Sequence, residues 1–345
     1  MQASTGTHIT AATVHDRSIR ALAREDLDAL VAIDAASRGR SRHGYFGHRL
    51  AAALREPGLH AQFAAVDDKG LSGYVLARVL AGEFGRSAPA LRLEAIGVRG
   101  DVQRRRVGTR LMDVLAGWAR RHGIREVLTQ AAWNDHRIVQ WLDAAGFSLA
   151  PNHVVDAFVH GGTYSPGRDD PVAMPGAGGS TREINYATGT GNDFERLARD
   201  TAEVRSMVPE DLADIARIDR AIIGRDRTAY IEAKLNETIV DSAIRVSLTA
   251  HDRGVVMGFL MARTDLGDFG RTEAVAVIDT IGVDPDCAHR GVGHALVSQL
   301  FANLGALGTE RLESVVAPHD LGLLAFLYRV GFTPSQRLAF VRKLS

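Results

Sequence analysis

The run Ile281–Leu296 reads Ile-Gly-Val-Asp-Pro-Asp-Cys-Ala-His-Arg-Gly-Val-Gly-His-Ala-Leu. An apolar strand ends in a loop, and the loop enters an amphipathic stretch at two closely spaced glycines, Gly291 and Gly293. Glycine permits positive φ and lets another group approach the backbone closely. The first N–H groups of a helix have no intrahelical acceptor, and the helix dipole adds partial positive charge there. That combination makes an anion site, and a pyrophosphate suits it. The candidate residues are Ile281, Gly282, Val283, Ala288, His289, Arg290, Gly291, Val292, Gly293 and His294. The loop is not a dinucleotide fingerprint, which needs a third glycine in a βαβ setting. It is not a Walker loop either, since no Gly-Lys-Ser/Thr follows. Two residues upstream, Asp279 interrupts the apolar pattern of Val275, Val277 and Ile281. A carboxylate in mid-strand is unexpected; it is either a salt-bridged structural acid or a group that accepts a proton.

The elements that must position these residues occur twice. A single shift of 185 residues aligns Arg20 with Arg205, Glu25-Asp26-Leu27 with Glu210-Asp211-Leu212, and Ile33-Asp34 with Ile218-Asp219. The same shift aligns Arg42 with Arg227, Tyr45 with Tyr230, Gly82–Arg86 with Gly267–Arg271, Ile96-Gly97-Val98 with Ile281-Gly282-Val283, and Gly146-Phe147 with Gly331-Phe332. A register that holds through loops as well as elements is the mark of an internal duplication. The expected organisation is a tail at 1–17, a first copy at 18–160, a linker at 161–202 and a second copy at 203–345. The linker is rich in Gly, Pro and Ser and lacks an apolar period, with a short helix possible at Asp193–Arg199.

Within the second copy, periodicity predicts strands at Val204–Met207, Arg245–His251, Val255–Arg263, Ala274–Val283, Arg311–Val316 and Arg337–Lys343. It predicts helices after Pro209, at Arg227–Leu235, His294–Leu307 and Leu321–Val330. The first copy repeats the order, with Leu91–Val98 as its long strand and Val107–His122 as its long helix. The fold class is α/β, with two tandem domains, each a mixed sheet with helices on both faces.

Composition narrows the function. Lys plus Arg equals Asp plus Glu, 41 each, so net charge gives no reason to expect nucleic acid or an anionic membrane. The single cysteine, Cys287, excludes an intrachain disulfide and multi-cysteine metal sites, and no metal is expected. No secretory leader or membrane-spanning run is read, and a cytoplasmic setting fits.

The strand, loop and helix at 281–300, with Gly-Phe closing the helix after the next strand, resemble motif A of the GNAT superfamily, Gln/Arg-x-x-Gly-x-Gly/Ala. The resemblance covers both copies. It implies an acyl-CoA-dependent N-acyltransferase, most simply one that passes acetyl from acetyl-CoA to a primary amine on a small molecule or protein. A non-catalytic acyl-CoA sensor is the alternative. The family's usual general acid is a tyrosine three residues before Gly-Phe; Tyr328 stands there in the second copy and Asp143 in the first. Asp279 then becomes the candidate base, with Glu94 at the same place in the first copy. The second copy has Ala288 at the first motif position and both glycines. The first has Gln103 and Gly108, but Arg106 replaces the first glycine. A second CoA site is therefore open at Val98, Gln103, Arg104, Arg105, Arg106, Val107, Gly108 and Thr109. The family's acceptor region implies Arg225, Arg227 and Asp268 as substrate contacts. The expected assembly is a monomer forming an intrachain pseudo-dimer, or a homodimer.

Overall fold

The computed structural model describes residues 18–83, 86, 88–159, 202–240, 246–265, 268–271 and 275–345. The expected tail, the expected linker apart from Ala202, and the expected helix at Asp193–Arg199 lie outside the described residues.

The first copy runs β1 (Ile19–Ala21), α1 (Leu27–Arg38), α2 (His43–Arg55), β2 (His60–Asp67), β3 (Gly70–Leu80), β4 (Ala90–Val98), α3 (Val107–Arg121), β5 (Glu126–Ala132), α4 (His136–Ala144), β6 (Ser148–Leu149) and β7 (His153–Phe158). The second runs β8 (Glu203–Ser206), α5 (Leu212–Ile223), α6 (Thr228–Val240), β9 (Leu248–Asp252), β10 (Val255–Asp265), β11 (Val275–Val283), α7 (Val292–Ala306), β12 (Arg311–Val316), α8 (Leu321–Arg329), β13 (Thr333–Pro334) and β14 (Arg337–Lys343). This is the expected order plus one two-residue strand per copy, β6 and β13. The strand expected at Arg245–His251 forms at Leu248–Asp252, because Val246 and Ser247 precede the pairing with β10.

Two mixed seven-stranded sheets result, ordered β1-β2-β3-β4-β5-β14-β6 and β13-β7-β12-β11-β10-β9-β8. Their last strands are exchanged. β14, from the end of the second copy, lies between β5 and β6, with Phe340 opposite Leu149. β7, from the end of the first, lies between β12 and β13, and its six residues pair antiparallel with all of β12, from Arg311↔Phe158 to Val316↔His153. Sequence periodicity marks both strands but assigns each to its own copy.

By compactness the chain divides into two units, residues up to Val79 with Leu91–Val127 and Leu344–Ser345, and Leu80–Ala90 with Leu128–Lys343. In the first unit Leu30, Ile33, Phe46, Tyr74 and Leu76 form a core beneath α1 and α2. Asp34 is buried within it, held by Arg42 Nε at 2.8 Å and by the Tyr74 hydroxyl at 2.9 Å. In the second unit one face of the sheet carries α7 through Leu296, Val297, Leu300 and Leu304, packed with Val155, Ala157, Ile278 and Leu312. The other face carries α5 and α6 through Ile215, Ile218, Tyr230 and Ile231, packed with Phe259 and Met261. Full burial of such side chains contributes roughly 1.5–3 kcal/mol each. Val159 and Ala202, which flank the stretch 160–201, both belong to the core under α7.

The start of α5 shows how sequence sets local structure. Asp211 accepts from the Val208 N–H at 3.0 Å and takes both terminal nitrogens of Arg205, at 2.9 and 2.7 Å, which ties the helix start to β8. Asp26 and Arg20 repeat this fork in the first copy, at 2.6 and 2.7 Å. Among the described residues no helix is long and apolar enough to cross a membrane.

An interior strand satisfies backbone groups on both its edges, so its loss leaves two unpaired edges. A chain ending at Ser335 should therefore melt at least about 10 °C lower than the full chain or fail to fold cooperatively. Scanning calorimetry with the full chain as control checks this; an unchanged melting temperature would count against β14 as a structural strand.

Candidate active site

The site is built around a wedge between two parallel strands. β11 pairs with β12 only from Val275↔Arg311 to Ile278↔Ser314. Beyond that point β11 continues to Val283 against β10, while Val315 and Val316 of β12 continue against β7. Asp284 N donates to Met257 O at 2.8 Å, on the β10 side. Backbone groups of successive strand residues point to alternate edges, so the N–H and C=O of Val283 and Ile281 face the wedge.

The loop from β11 to α7 closes the mouth of the wedge. Asp284 takes Arg217 Nη1 at 2.6 Å and the Asp286 N–H at 3.1 Å. The Arg217 hydrogen bond holds its carboxyl below the ordinary carboxylate range, against the opposing effect of burial. His289 and Gly291 both take left-handed backbone, at φ 62° and 81°. Helical bonding begins with Ala295 N on Gly291 O at 2.9 Å. The N–H groups of Val292, Gly293 and His294 therefore precede the first intrahelical bond and carry the positive end of the dipole. This fits an anion such as a pyrophosphate.

The first copy keeps the loop shape with different residues. Arg104 and Arg106 adopt φ 61° and 60°, where His289 and Gly291 stand in the second copy. Left-handed backbone costs a non-glycine residue about 1–2 kcal/mol. The first copy bears that strain at both positions and the second only at His289, and both arginine side chains are exposed. Gln103 Nε2 donates to Val98 O at 3.2 Å, inside the same loop.

Tyr328 lies on α8, whose start is capped by Asp320 accepting from the Leu323 N–H at 3.1 Å. The helix ends where Gly331 turns left-handed and the Phe332 N–H reaches back to Leu327 O at 3.0 Å. Phe332 is buried in the core under α7, so Gly-Phe both stops and anchors the helix. Tyr328 is 44% exposed one turn before this stop. Its counterpart Asp143 is exposed at the same place on α4.

Asp279 is 3% exposed and ion-paired. Arg263 Nε lies 3.2 Å from its Oδ2, and Lys234 Nζ lies 3.8 Å from the same oxygen. The expected acceptor contacts are also engaged. Arg227 is buried, forks onto Asp219 and donates to Gly82 O. Asp268 is fully buried, 3.5 Å from Arg263 Nη1. Arg227 and Asp268 are thus buried and engaged by other residues of the protein. Half-buried Arg225 donates to Arg86 O. The wall on this side is instead Ile222, exposed at the end of α5 and packed over Gly282. Periodicity did not signal Lys234, Arg263 or Glu83 as members of the site. The available clue was that the aligned loops 82–86 and 267–271 carry acids at the same place, Glu83 and Asp268.

The model of the acetyltransferase (GNAT) family matches residues 27–147 and 211–332, and the chain belongs to that family. Solved structures share the fold at low identity. The tandem GNAT protein from the clavulanic acid biosynthesis pathway, solved without acetyl-CoA, is 16% identical with a TM-score of 0.58, over 96% of this chain and 99% of that one. A GCN5-related N-acetyltransferase from Sphaerobacter thermophilus is 16% identical with a TM-score of 0.53, over 96% and 97%. The glucosamine N-acetyltransferase region of a fungal multi-domain GH3 β-N-acetylglucosaminidase is 14% identical with a TM-score of 0.61, and this chain covers 96% of itself but 38% of that chain. No curated protein matches the chain.

The Arg217–Asp284 pair gives a pH test of the loop. The Asp284 carboxyl is lowered on folding, so its contribution is present above the unfolded value of about 4 and is lost as pH falls through the folded value. The difference in melting temperature between wild type and Asp284→Asn should be largest near neutrality and shrink below about pH 4. A constant difference from pH 7 to pH 3 would show that the charge of Asp284 is not what stabilises the loop.

Proposed function

We propose that the second copy catalyses N-acyl transfer from acyl-CoA, most simply acetyl-CoA, to a primary amine. The wedge between β11 and β12, leading to the left-handed loop and the start of α7, carries this reading. Residues 288–294 would hold the pyrophosphate, and the backbone of Ile281 and Val283 would line the thiol arm. The donor supplies an acyl group as a thioester.

In this reading the acceptor amine enters past Ile222. A free alkylamine, with a pKa of about 10.4, must lose a proton to attack. Asp279 receives that proton, directly or through water, and does so by loosening its contact with Arg263 or Lys234. The Val283 N–H steadies the negative charge that develops on the carbonyl oxygen. A C–N bond forms, the C–S bond breaks, and the nitrogen releases its second proton to solvent as the amide is made. Tyr328 gives its hydroxyl proton to the departing thiolate, and its exposure allows the phenol to be reprotonated from solvent. The first copy has Asp143 and Arg106 where this chemistry uses Tyr328 and Gly291, so it supplies structure rather than turnover. Its loop at 98–109 remains a candidate second site for CoA.

Tyr328→Phe should lower kcat about 100-fold with KM for acyl-CoA nearly unchanged, because the hydroxyl acts only as the thiolate leaves. Asp279→Asn should lower kcat similarly and flatten the acidic limb of the rate profile. Steady-state kinetics on an amine panel checks both; full turnover in either variant removes that residue from the mechanism. Asp143→Asn should leave the rate unchanged.

A further inference from the structure

We propose that Glu83, on the connection between β3 and β4 of the first copy, is a positioning residue of the second copy's acyl-transfer site and holds the Lys234 ammonium off Asp279. The inference rests on the reading of Asp279 as base.

Glu83 is 2% exposed, and its carboxylate is fixed from several directions. Its Oε2 accepts the N–H groups of Ala81 at 2.9 Å and Gly82 at 3.1 Å. Its Oε1 lies 2.7 Å from Lys234 Nζ. The connection is itself pinned. A Cβ on Gly82 would stand 2.8 Å from the Tyr230 ring, so the backbone lies flat on that ring. Arg227 donates to Gly82 O and Arg225 to Arg86 O. The two arginines that sequence pointed to as acceptor contacts thus anchor the segment that delivers Glu83.

Lys234 stands between two carboxylates, closer to Glu83 than to Asp279, at 2.7 against 3.8 Å. Among the described residues, other charged or titratable groups placed by Asp279 are Arg263 from β10, Asp268 behind Arg263, and Tyr230 from α6. Burial first, then the charges of Glu83 and Asp279, hold the Tyr230 phenol protonated well above its ordinary range. Tyr230 therefore adds no charge; its hydroxyl lies 3.2 Å from Thr280 Oγ1. Without Glu83, the ammonium keeps the Asp279 carboxylate within reach. It would close on Asp279 to about 2.8 Å, the length of a charge-assisted hydrogen bond. A carboxylate held directly by two cations is a poor proton acceptor.

The first copy shows the collapsed alternative. At the positions of Lys234 and Asp279 it has Arg49 and Glu94. Arg92 Nη2 at 2.7 Å and Arg49 Nη2 at 3.3 Å both press on Glu94 Oε1. That copy also carries Asp143 in the place of Tyr328.

The test is Glu83→Gln in the full chain, assayed well below its melting temperature. It should lower kcat about tenfold and leave KM for acyl-CoA unchanged. Glu83→Asp should retain most of the rate. The double variant Glu83→Gln, Lys234→Met should return kcat to within about threefold of wild type, because no ammonium remains to close on Asp279. It also removes both members of the Glu83–Lys234 ion pair, so it serves if the single variant fails to fold. Wild-type kcat in Glu83→Gln, or a loss that the double variant does not relieve, overturns the proposal. If Asp279→Asn keeps full activity, the base assignment falls and this proposal falls with it. If Asp279→Asn is inactive while Glu83→Gln is not, only the role of Glu83 is lost.

Discussion

The ladder between β12 and β7 is the constraint on which the site depends. A parallel pair such as β11 and β12 would ordinarily stay together along their common length. Here the last two residues of β12, Val315 and Val316, stay in register with Val154 and His153 on the far side, while β11 remains paired with β10. Each strand is held by its outer neighbour, and the inner edges separate past Ile278 and Ser314. The opening that exposes the backbone of Ile281 and Val283 is a product of pairing elsewhere in the sheet. One of its two retaining strands comes from the first copy's sequence.

The copies diverge in chemistry more than in shape. Arg106 accepts the backbone strain that Gly291 avoids, so the loop follows the same left-handed path with a long cationic side chain in one copy and none in the other. Gly146 and Gly331 end α4 and α8 with the same left-handed turn and the same hydrogen bond back to a buried leucine. What differs is the residue carried on the helix, an aspartate in one and a tyrosine in the other. The buried forks Asp34–Arg42 and Asp219–Arg227 persist in both. Removal of one partner of such a pair typically costs about 3–5 kcal/mol, because the other is left charged and buried. Retention of the forks therefore follows from folding alone.

Most of this architecture was legible in the sequence because it is local or repeated. The constant shift of 185 residues carried loops and elements together, and Pro209, Gly331 and the apolar periods marked helix ends to within a few residues. The strand exchange was not legible. β7 and β14 occupy equivalent positions in nearly equivalent sheets, so the pattern Val154, Val155, Ala157 describes a strand without naming its neighbours. The setting of Asp279 was hidden for a related reason. Its partners Lys234 and Arg263 come from different elements, and Glu83, which shares Lys234 with it, stands almost 200 residues away in the chain. Spacing alone cannot separate a proton-accepting carboxylate from a paired one.

The cores also bear on the long stretch at 160–201. It leaves from Val159 and returns at Ala202, and both residues are buried in the same hydrophobic cluster. Topologically it is a closed excursion from one core, and its ends are set by strands already in place. The two points where it meets the described residues are packed in one cluster, so the end of β7 and the start of β8 are tied to the same core.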